Sequence, residues 1–139
     1  MTHPRQQALV DRMRILQRSS PEIEAAALIS LDGLLIASAL LPENNPDRIS
    51  AISASILSLA EQMGKEAGLA ALEQVYIQGE NGHTVLMAVG DQAVLTAFVA
   101  VRAKMGVLLL DMRHSANDLC VILTESALLS ENPMSLEHA

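Results

Sequence analysis

The sequence predicts an α+β domain in which three helices cover the two faces of a five-stranded antiparallel sheet. Short apolar runs joined by glycine-containing turns predict strands that pair as hairpins. Longer segments before, between and after these runs repeat apolar residues at the helical period. The predicted order is αββαβββα. The central helix then covers one face of the sheet and the two terminal helices cover the other, which makes a three-layer α/β/α domain.

The length of 139 residues fits one domain, and a chain of this size buries roughly two-thirds of its unfolded surface. We predict that residues 4–124 form the domain and that residues 125–139 form a flexible C-terminal tail. Apolar residues make up 50% of the chain, but Tyr76 and Phe98 are its only residues of the types Phe, Tyr and Trp. The core is therefore predicted to be aliphatic.

The first helix is predicted over residues 4–19, because Pro4 suits a first helical turn and Ser19-Ser20-Pro21 ends the pattern. Apolar residues recur in it at i, i+4 and i+7, at Leu9, Met13 and Leu16. Two short apolar runs follow, residues 25–31 and 34–39. The dipeptide Asp32-Gly33 between them tolerates positive φ at both turn positions, which predicts the first hairpin.

The central helix is predicted to begin at Pro46, with Asn45 or Asp47 as its cap, and to end near Glu66 before Gly68. One face has apolar residues at helical spacing and is predicted to pack on the sheet: Ile49, Ile52, Ile56, Leu59 and Met63. The opposite face is small and uncharged: Ser50, Ala51, Ala54, Ser55 and Ser58. We interpret this face as covered by the same helix of a second copy; the alternatives are one of the chain's own terminal helices or a poorly charged surface.

Three more strands are predicted over residues 72–78, 84–89 and 93–101. Turns at Asn81-Gly82 and Gly90-Asp91 join them into a meander. The last of these strands is almost continuously apolar, which is typical of the centre of a sheet. A final helix is predicted over residues 104–123.

The charge of the chain excludes several function classes. A net charge of −7 and a pI near 4.9 oppose a nucleic-acid partner, whose binding relies on clustered Lys and Arg.

The longest strongly apolar run, residues 93–101, is too short for a membrane span, so we expect no integral membrane association. The single Cys120 permits no internal disulfide, and the N-terminus lacks the apolar core of a secretory signal, so we expect a cytoplasmic protein. Four arginines in the first eighteen residues predict either a solvated helix face or a basic surface for an acidic partner or membrane.

The sequence predicts no catalytic, cofactor or metal site, and hence a protein that is not an enzyme. The stretch 63–68 resembles a phosphate loop only superficially, and its glycines are better explained as the end of the central helix. Asp111, His114 and Asp118 share a helix face, but no fourth ligand stands at a recognisable spacing. Cys120 has no activating neighbour in the sequence and is predicted to be a packing residue.

Several segments together resemble the Roadblock family, also called the dynein-light-chain Roadblock domain. They are the hairpin Leu28–Ala37, the central helix with its small residues, the turn Asn81-Gly82, and the segments Asp91–Leu95 and Met105–Arg113. The resemblance covers about residues 5–124. Its length and terminal helices are similar to those of prokaryotic members, which accompany small Ras-like GTPases. It implies a Roadblock/profilin-like fold and homodimers in which the central helices pair and the third strands join two sheets.

We therefore predict a homodimeric, non-enzymatic regulator or scaffold that binds a small Ras-like GTPase and modulates its nucleotide cycle or location. The predicted dimer interface consists of Ser50, Ala51, Ala54, Ser55, Leu57, Ser58, Val75 and Ile77. The predicted GTPase-binding residues lie at the rim of the paired helices: Arg48, Glu61, Gln62 and Lys65. Two alternatives are a PAS-like small-molecule sensor and a structural subunit of a larger complex. The sensor is disfavoured by the single helix between the second and third strands and by the scarcity of aromatic residues.

Overall fold

The computed structural model describes residues 4–131 and has the predicted order of elements. The helices are α1 (Pro4–Ser19), α2 (Pro46–Glu66) and α3 (Met105–Glu131). The strands are β1 (Ile23–Ser30), β2 (Leu35–Ala39), β3 (Gln74–Gly79), β4 (Gly82–Val89) and β5 (Ala93–Ala100). Except for the end of α3, the predicted boundaries agree with these bounds to within about two residues, the precision expected at element ends.

The five strands form one antiparallel sheet in the order β2-β1-β5-β4-β3. The predicted central position of the last strand is confirmed, because β5 lies between β1 and β4 and nearly all its residues are buried. β2 and β3 are the two edge strands. The predicted α+β class and three-layer arrangement are therefore confirmed.

Two of the three predicted turns differ in detail from the expectation. In the first hairpin Gly33 has φ +88°, but Asp32 does not have positive φ, because the loop spans residues 31–34 and closes through a bond from Ser30 N to Leu34 O (2.8 Å). In the second, Gly82 already belongs to β4, opposite Gly79. A Cβ at Gly82 would lie 2.7 Å from the carbonyl oxygen of Val99, so a close strand approach requires this glycine.

The larger core lies between the sheet and the α1–α3 layer. Side chains of both helices pack on one face of β1, β4 and β5, and the fully buried members from the helices are Leu9, Met13, Leu16, Met112 and Leu119. The two helices are antiparallel and are joined by two polar contacts, one between their middle turns and one just after the end of α1. Arg12 Nε donates to Asp118 Oδ2 at 2.7 Å, and Ser20 Oγ donates to Asp111 Oδ2 at 2.7 Å.

The opposite face of the sheet is covered by α2 over a smaller apolar cluster, formed by Ala27, Ile29, Leu57, Leu86 and Val94. Asn45 caps the helix, since its side chain accepts from Arg48 N at 3.1 Å, and Pro46 occupies the first turn. The helix ends at Glu66, and Gly68 just beyond it has φ +69°, with a bond from Leu69 N to Gly64 O at 2.8 Å. The stretch 63–68 is thus a helix terminus, as predicted.

The predicted orientation of α2 is only partly correct, since Ile49 and Ile56 pack against the cluster under the helix as predicted. The face that packs on the sheet has the small residues Ser50 and Ser53 together with Leu57. Three of the five residues predicted to pack there are instead outside, with Ile52, Leu59 and Met63 exposed by 50%, 64% and 68%. The reason is space: side chains of the sheet already fill this layer, so small helix residues allow the backbone of α2 to approach closely.

The end of α3 is also later than predicted. The helix continues from Leu123 to Glu131, into the segment expected to be a tail. Residues 124–131 contain Ala, Leu and Glu and no Gly or Pro, so nothing in them terminates a helix before Pro133. Residues 132–139 lie outside the described part, and the flexibility of the tail remains a prediction. None of the described helices is long and apolar enough to cross a membrane.

Candidate interaction surface

The outer face of α2 presents large apolar side chains to solvent. Ile52, Leu59 and Met63 are spaced by seven and four residues, which places them on one stripe of the helix. Ala51, Ser55 and Ser58 are also exposed, as the predicted interface requires, and Ala54 is half-buried. Exposed apolar stripes of this kind are typical of surfaces that bind another protein.

Two of the predicted interface residues do not lie on this surface. Ser50 is 1% exposed and Leu57 is 2% exposed, because both pack between α2 and the sheet. The Ser50 hydroxyl donates to the carbonyl oxygen of Pro46 at 2.7 Å, which satisfies it inside the protein. We therefore remove these two residues from the candidate interface and add Ile52, Leu59 and Met63.

The β1–β2 hairpin extends the apolar surface on one side of α2. A Cβ at Gly33 would lie 3.7 Å from Cα of Ala51, so the loop rests directly on the helix. The groove between them has a volume of about 560 Å³ and includes Leu31 and Leu59 in its lining. Leu34, at the end of the loop, is exposed as well.

On the other side of α2 lies the open edge of the sheet. β3 pairs only with β4, so one side of its backbone has no strand partner among residues 4–131. Natural sheet edges are usually protected by Lys, Pro, bulges or a covering element. β3 has the sequence Gln-Val-Tyr-Ile-Gln-Gly, with neither charge nor Pro, and its register with β4 is regular. This edge is therefore suited to pairing with another strand.

The ladder between β3 and β4 shows which amides of β3 face this edge. Ala88 N donates to Glu73 O at 3.0 Å, so this pair is hydrogen-bonded. Because bonded pairs alternate along an antiparallel ladder, Val75 and Ile77 also bond towards β4. The backbone groups of Tyr76 and Gln78 consequently point outward.

Beside the open edge, one cross-strand row of the sheet extends past α2. Ile77 lies opposite Thr84, and Thr84 lies opposite Phe98, on the same face as α2. Ile77 is 42% exposed and Phe98 is half-buried. Of the two predicted interface residues in β3, Ile77 is thus exposed, whereas Val75 is half-buried and packs against the cluster under α2. Phe98 joins this surface only through the strand register, so the sequence alone did not identify it.

On the other face of the sheet, Tyr76 of β3 contacts a buried histidine of β4, His83. Tyr76 Oη and His83 Nδ1 are 2.6 Å apart, and His83 Nε2 is 3.3 Å from Val101 O. The two rings stack with centroids 5.5 Å apart. Both ring nitrogens of His83 are therefore engaged, which indicates a structural role.

The four predicted GTPase-binding residues are all exposed on α2. Arg48 lies in its first turn, and Glu61, Gln62 and Lys65 lie towards its end. Arg48, Glu61 and Lys65 form no ion pair with any residue that the structure describes. Their charges are therefore free to contact a partner at the two ends of the apolar stripe.

The residues considered for chemistry are occupied by structural contacts. Asp111 accepts from Ser20 and Asp118 pairs with Arg12, so these carboxylates contact α1 and do not converge with His114. Within residues 4–131 no cluster of three or more His, Cys, Asp or Glu could hold a metal ion. Cys120 is half-buried and packs against Gly90, where a Cβ would lie 2.7 Å from Sγ.

A three-layer α+β domain with an exposed apolar helix stripe and an open, uncharged strand edge belongs to the class of small protein-interaction domains. The Roadblock/LC7 domain model matches residues 9–98, and the chain therefore belongs to the Roadblock/LC7 family. This confirms the resemblance found in the sequence.

Similar proteins agree with this assignment. An uncharacterised protein of Methanocaldococcus jannaschii is 25% identical over 111 residues, which cover 80% of this chain and 93% of the relative. A structure of MglB with a tetrameric arrangement superposes with a TM-score of 0.82 at 20% identity, over 90% of this chain and 94% of that one. Myxococcus xanthus MglB superposes with a TM-score of 0.81 at 17% identity, over 90% and 94% of the two chains. At these identities the two structures show a shared fold.

Proposed function

We propose that the protein is a homodimeric, non-enzymatic regulator or scaffold that binds a small Ras-like GTPase in the cytoplasm. The observation that carries this proposal is that the exposed α2 stripe and the exposed Ile77 of the open β3 edge lie on the same face of the sheet. Membership in the Roadblock/LC7 family supports a regulatory or scaffold role in a GTPase-related system. The resemblance of the fold to MglB supports the same role.

The open edge of β3 supports the proposed dimer. A strand that pairs with its own copy across a two-fold axis is antiparallel to it, and two β3 strands paired in this way would join two five-stranded sheets into one of ten. Both α2 helices then lie on the same side of the joined sheet. The stripe of Ile52, Leu59 and Met63 from each copy, with Ile77 beside it, would be shielded from water at the junction.

The GTPase would bind the platform made by the two α2 helices. Arg48 at one end and Glu61, Gln62 and Lys65 at the other are exposed and would form a polar rim that sets the orientation of the partner. We favour stimulation of hydrolysis by positioning of the GTPase's own switch residues. The alternative is that Arg48 acts as an arginine finger, since its guanidinium has no ion-pair partner in the described residues.

The deciding experiment uses the Ras-like GTPase encoded nearest to this chain in its genome. Binding is measured by calorimetry in both nucleotide states, and hydrolysis by single-turnover assays, with the wild-type protein and with Arg48→Ala. Positioning predicts that Arg48→Ala retains most of the stimulation. Lost stimulation with intact binding would support the finger instead, and no binding in either nucleotide state would refute the proposed function.

Arg14→Ala serves as a matched control, because it removes one exposed arginine from α1, outside the proposed platform. Each variant is also tested for its dimer, so that a loss of the platform is not read as a loss of a contact. The protein alone, incubated with GTP, is expected to show neither binding nor hydrolysis.

A further inference from the structure

The α1–α3 layer has a basic end that the proposed dimer and GTPase surfaces do not use. We define this basic end by Arg18, Val101, Arg102, Lys104 and Val107. The fold brings these positions together, because Glu22 O accepts from Ala100 N at 2.9 Å and the Ser20 hydroxyl bonds to Asp111 of α3. The end of α1 thus lies beside the turn that leads into α3.

The cations of the basic end have no ion-pair partner within residues 4–131. Among the described residues, Arg12 pairs with Asp118, Arg14 lies 3.9 Å from Asp11, and Arg113 lies 3.9 Å from Glu73. Arg18, Arg102 and Lys104 are exposed and take part in none of these pairs. In the basic N-terminal helix, Arg12 and Arg14 are therefore paired with carboxylates of the protein, whereas Arg18 at the end of the helix is not paired in the part of the chain that the structure describes.

Apolar side chains accompany the unpaired cations. Val101 is 58% exposed and Val107 is 62% exposed. Leu110, one turn further along α3, is exposed on the same side as Val107. A surface of this composition fits a segment that combines acidic and apolar residues.

The chain itself contains such a segment. Residues 126–139 include Glu131 and Glu137 but no Lys or Arg, and their large apolar residues are Leu128, Leu129, Met134 and Leu136. Leu123 belongs to the core, and α3 continues for eight residues beyond it. The segment thus comprises the C-terminal end of α3 and the residues that follow it.

The segment cannot reach the basic end of its own chain. α3 has 27 residues and is about 40 Å long at 1.5 Å per residue. The basic end lies at its beginning, and residues 132–139 span at most about 28 Å when fully extended. We propose that residues 126–139 of one copy bind the basic end of another copy of this chain.

An anionic membrane is a poorer match for the basic end. The chain as a whole has a net charge of −7, so a broad negative plane would repel most of its surface. A short acidic segment touches only the basic end and avoids that repulsion. The contact joins two different surfaces, and it uses the layer opposite to α2, so it is compatible with the proposed dimer.

The test places a photo-crosslinking residue at Met134 in the full chain and maps its products by mass spectrometry. Equal amounts of light and heavy isotope-labelled protein distinguish crosslinks between copies from those within one copy. The expected products join residue 134 of one copy to the region 101–107 of another. Products confined to one copy, or mapped mainly to α2, would overturn the proposal.

Charge reversal gives the sharper result. Two double variants reverse the charge of one side of the contact: Arg102→Glu with Lys104→Glu in the basic end, and Glu131→Lys with Glu137→Lys in the segment. Each should lower the yield of the crosslink between copies by on the order of tenfold, because like charges then face each other. A mixture of the two variants should restore it, since each then offers the charge that the other lacks. Arg14→Glu with Arg113→Glu is the matched control for net charge, because both cations are exposed and lie outside the basic end and outside α2; it should leave the yield unchanged.

Failure of the mixture to restore the crosslink, or an unchanged yield in both charge variants, would overturn the proposal. Circular dichroism and thermal melting establish that each variant is folded. Vesicles of phosphatidylserine and phosphatidylcholine provide the membrane arm. The basic end would be assigned to a membrane instead if the protein sediments with these vesicles and shows no crosslink between copies. In that case the double variant Arg102→Glu, Lys104→Glu should no longer sediment with them.

Discussion

Ser53 Oγ accepts a hydrogen bond from Thr96 Oγ1 at 3.0 Å, and both hydroxyls are buried between α2 and the sheet. This contact joins the helix that carries the candidate surface to the central strand of the sheet. It also explains why a small polar residue faces the sheet: the hydroxyl satisfies Thr96, and its size allows close approach. The outward direction of Ile52, Leu59 and Met63 is a consequence of this orientation.

Ser53→Leu is expected to destabilise the protein by about 1–3 kcal/mol, because the larger side chain forces α2 away from the sheet and leaves Thr96 without its partner. Chemical denaturation monitored by circular dichroism measures the change. Ser55→Leu, two residues along the same helix, is exposed and should change the stability of the isolated chain by less than about 0.5 kcal/mol. Equal effects at the two positions would show that α2 is oriented differently.

Gly82→Ala is expected to cost about 1–3 kcal/mol of stability, since a Cβ there would lie 2.7 Å from the backbone oxygen of Val99. Gly79→Ala is the matched control in the same turn, because the nearest atom to its Cβ would be 3.7 Å away. Thermal unfolding of the two variants provides the comparison. A Gly82→Ala variant as stable as Gly79→Ala would contradict the close approach of β4 and β5.

Most of the fold was predictable because each element has a local signal. Periodicity identified the helices, and glycine-containing turns separated the strands. The orientation of α2 was not predictable in the same way, because neither of its faces is charged along residues 49–60. Small residues permit close packing against either a sheet or a second helix, and the choice depends on the volume that Ile29, Leu86 and Val94 already occupy.

The candidate site was predictable only in part for the same reason. Four of the predicted interface residues are on the surface: Ala51, Ser55, Ser58 and Ile77. Ser50 and Leu57 are instead buried, because of the orientation of α2. Phe98 required the register of β4 and β5, which is a long-range property. The end of α3 could have been placed later from sequence, because the first helix breaker after Leu123 is Pro133.

Leu59→Glu is expected to convert the proposed homodimer into a monomer. A charge at the centre of the apolar stripe would lose its hydration without gaining a partner, which costs a few kcal/mol, about a hundredfold or more in the dissociation constant. Sedimentation over a range of concentrations measures the effect. Val121→Glu places the same charge at a similarly exposed position on α3 and should leave the dimer intact. A wild-type protein that sediments only as a 14.9 kDa species would refute the dimer itself.

The last prediction concerns amide exchange along β3, where neighbouring residues serve as each other's controls. The amides of Val75 and Ile77 bond to β4 within one chain and should exchange slowly in both monomer and dimer. Those of Tyr76 and Gln78 point outward and should be protected only when a second β3 covers the edge. Hydrogen exchange with residue resolution, on the wild type and on the monomeric Leu59→Glu variant, separates the two cases. Gln78→Pro removes an outward donor and should weaken the dimer while the fold is retained. Rapid exchange of Tyr76 and Gln78 in a protein shown to be dimeric would mean that the helices alone form the interface.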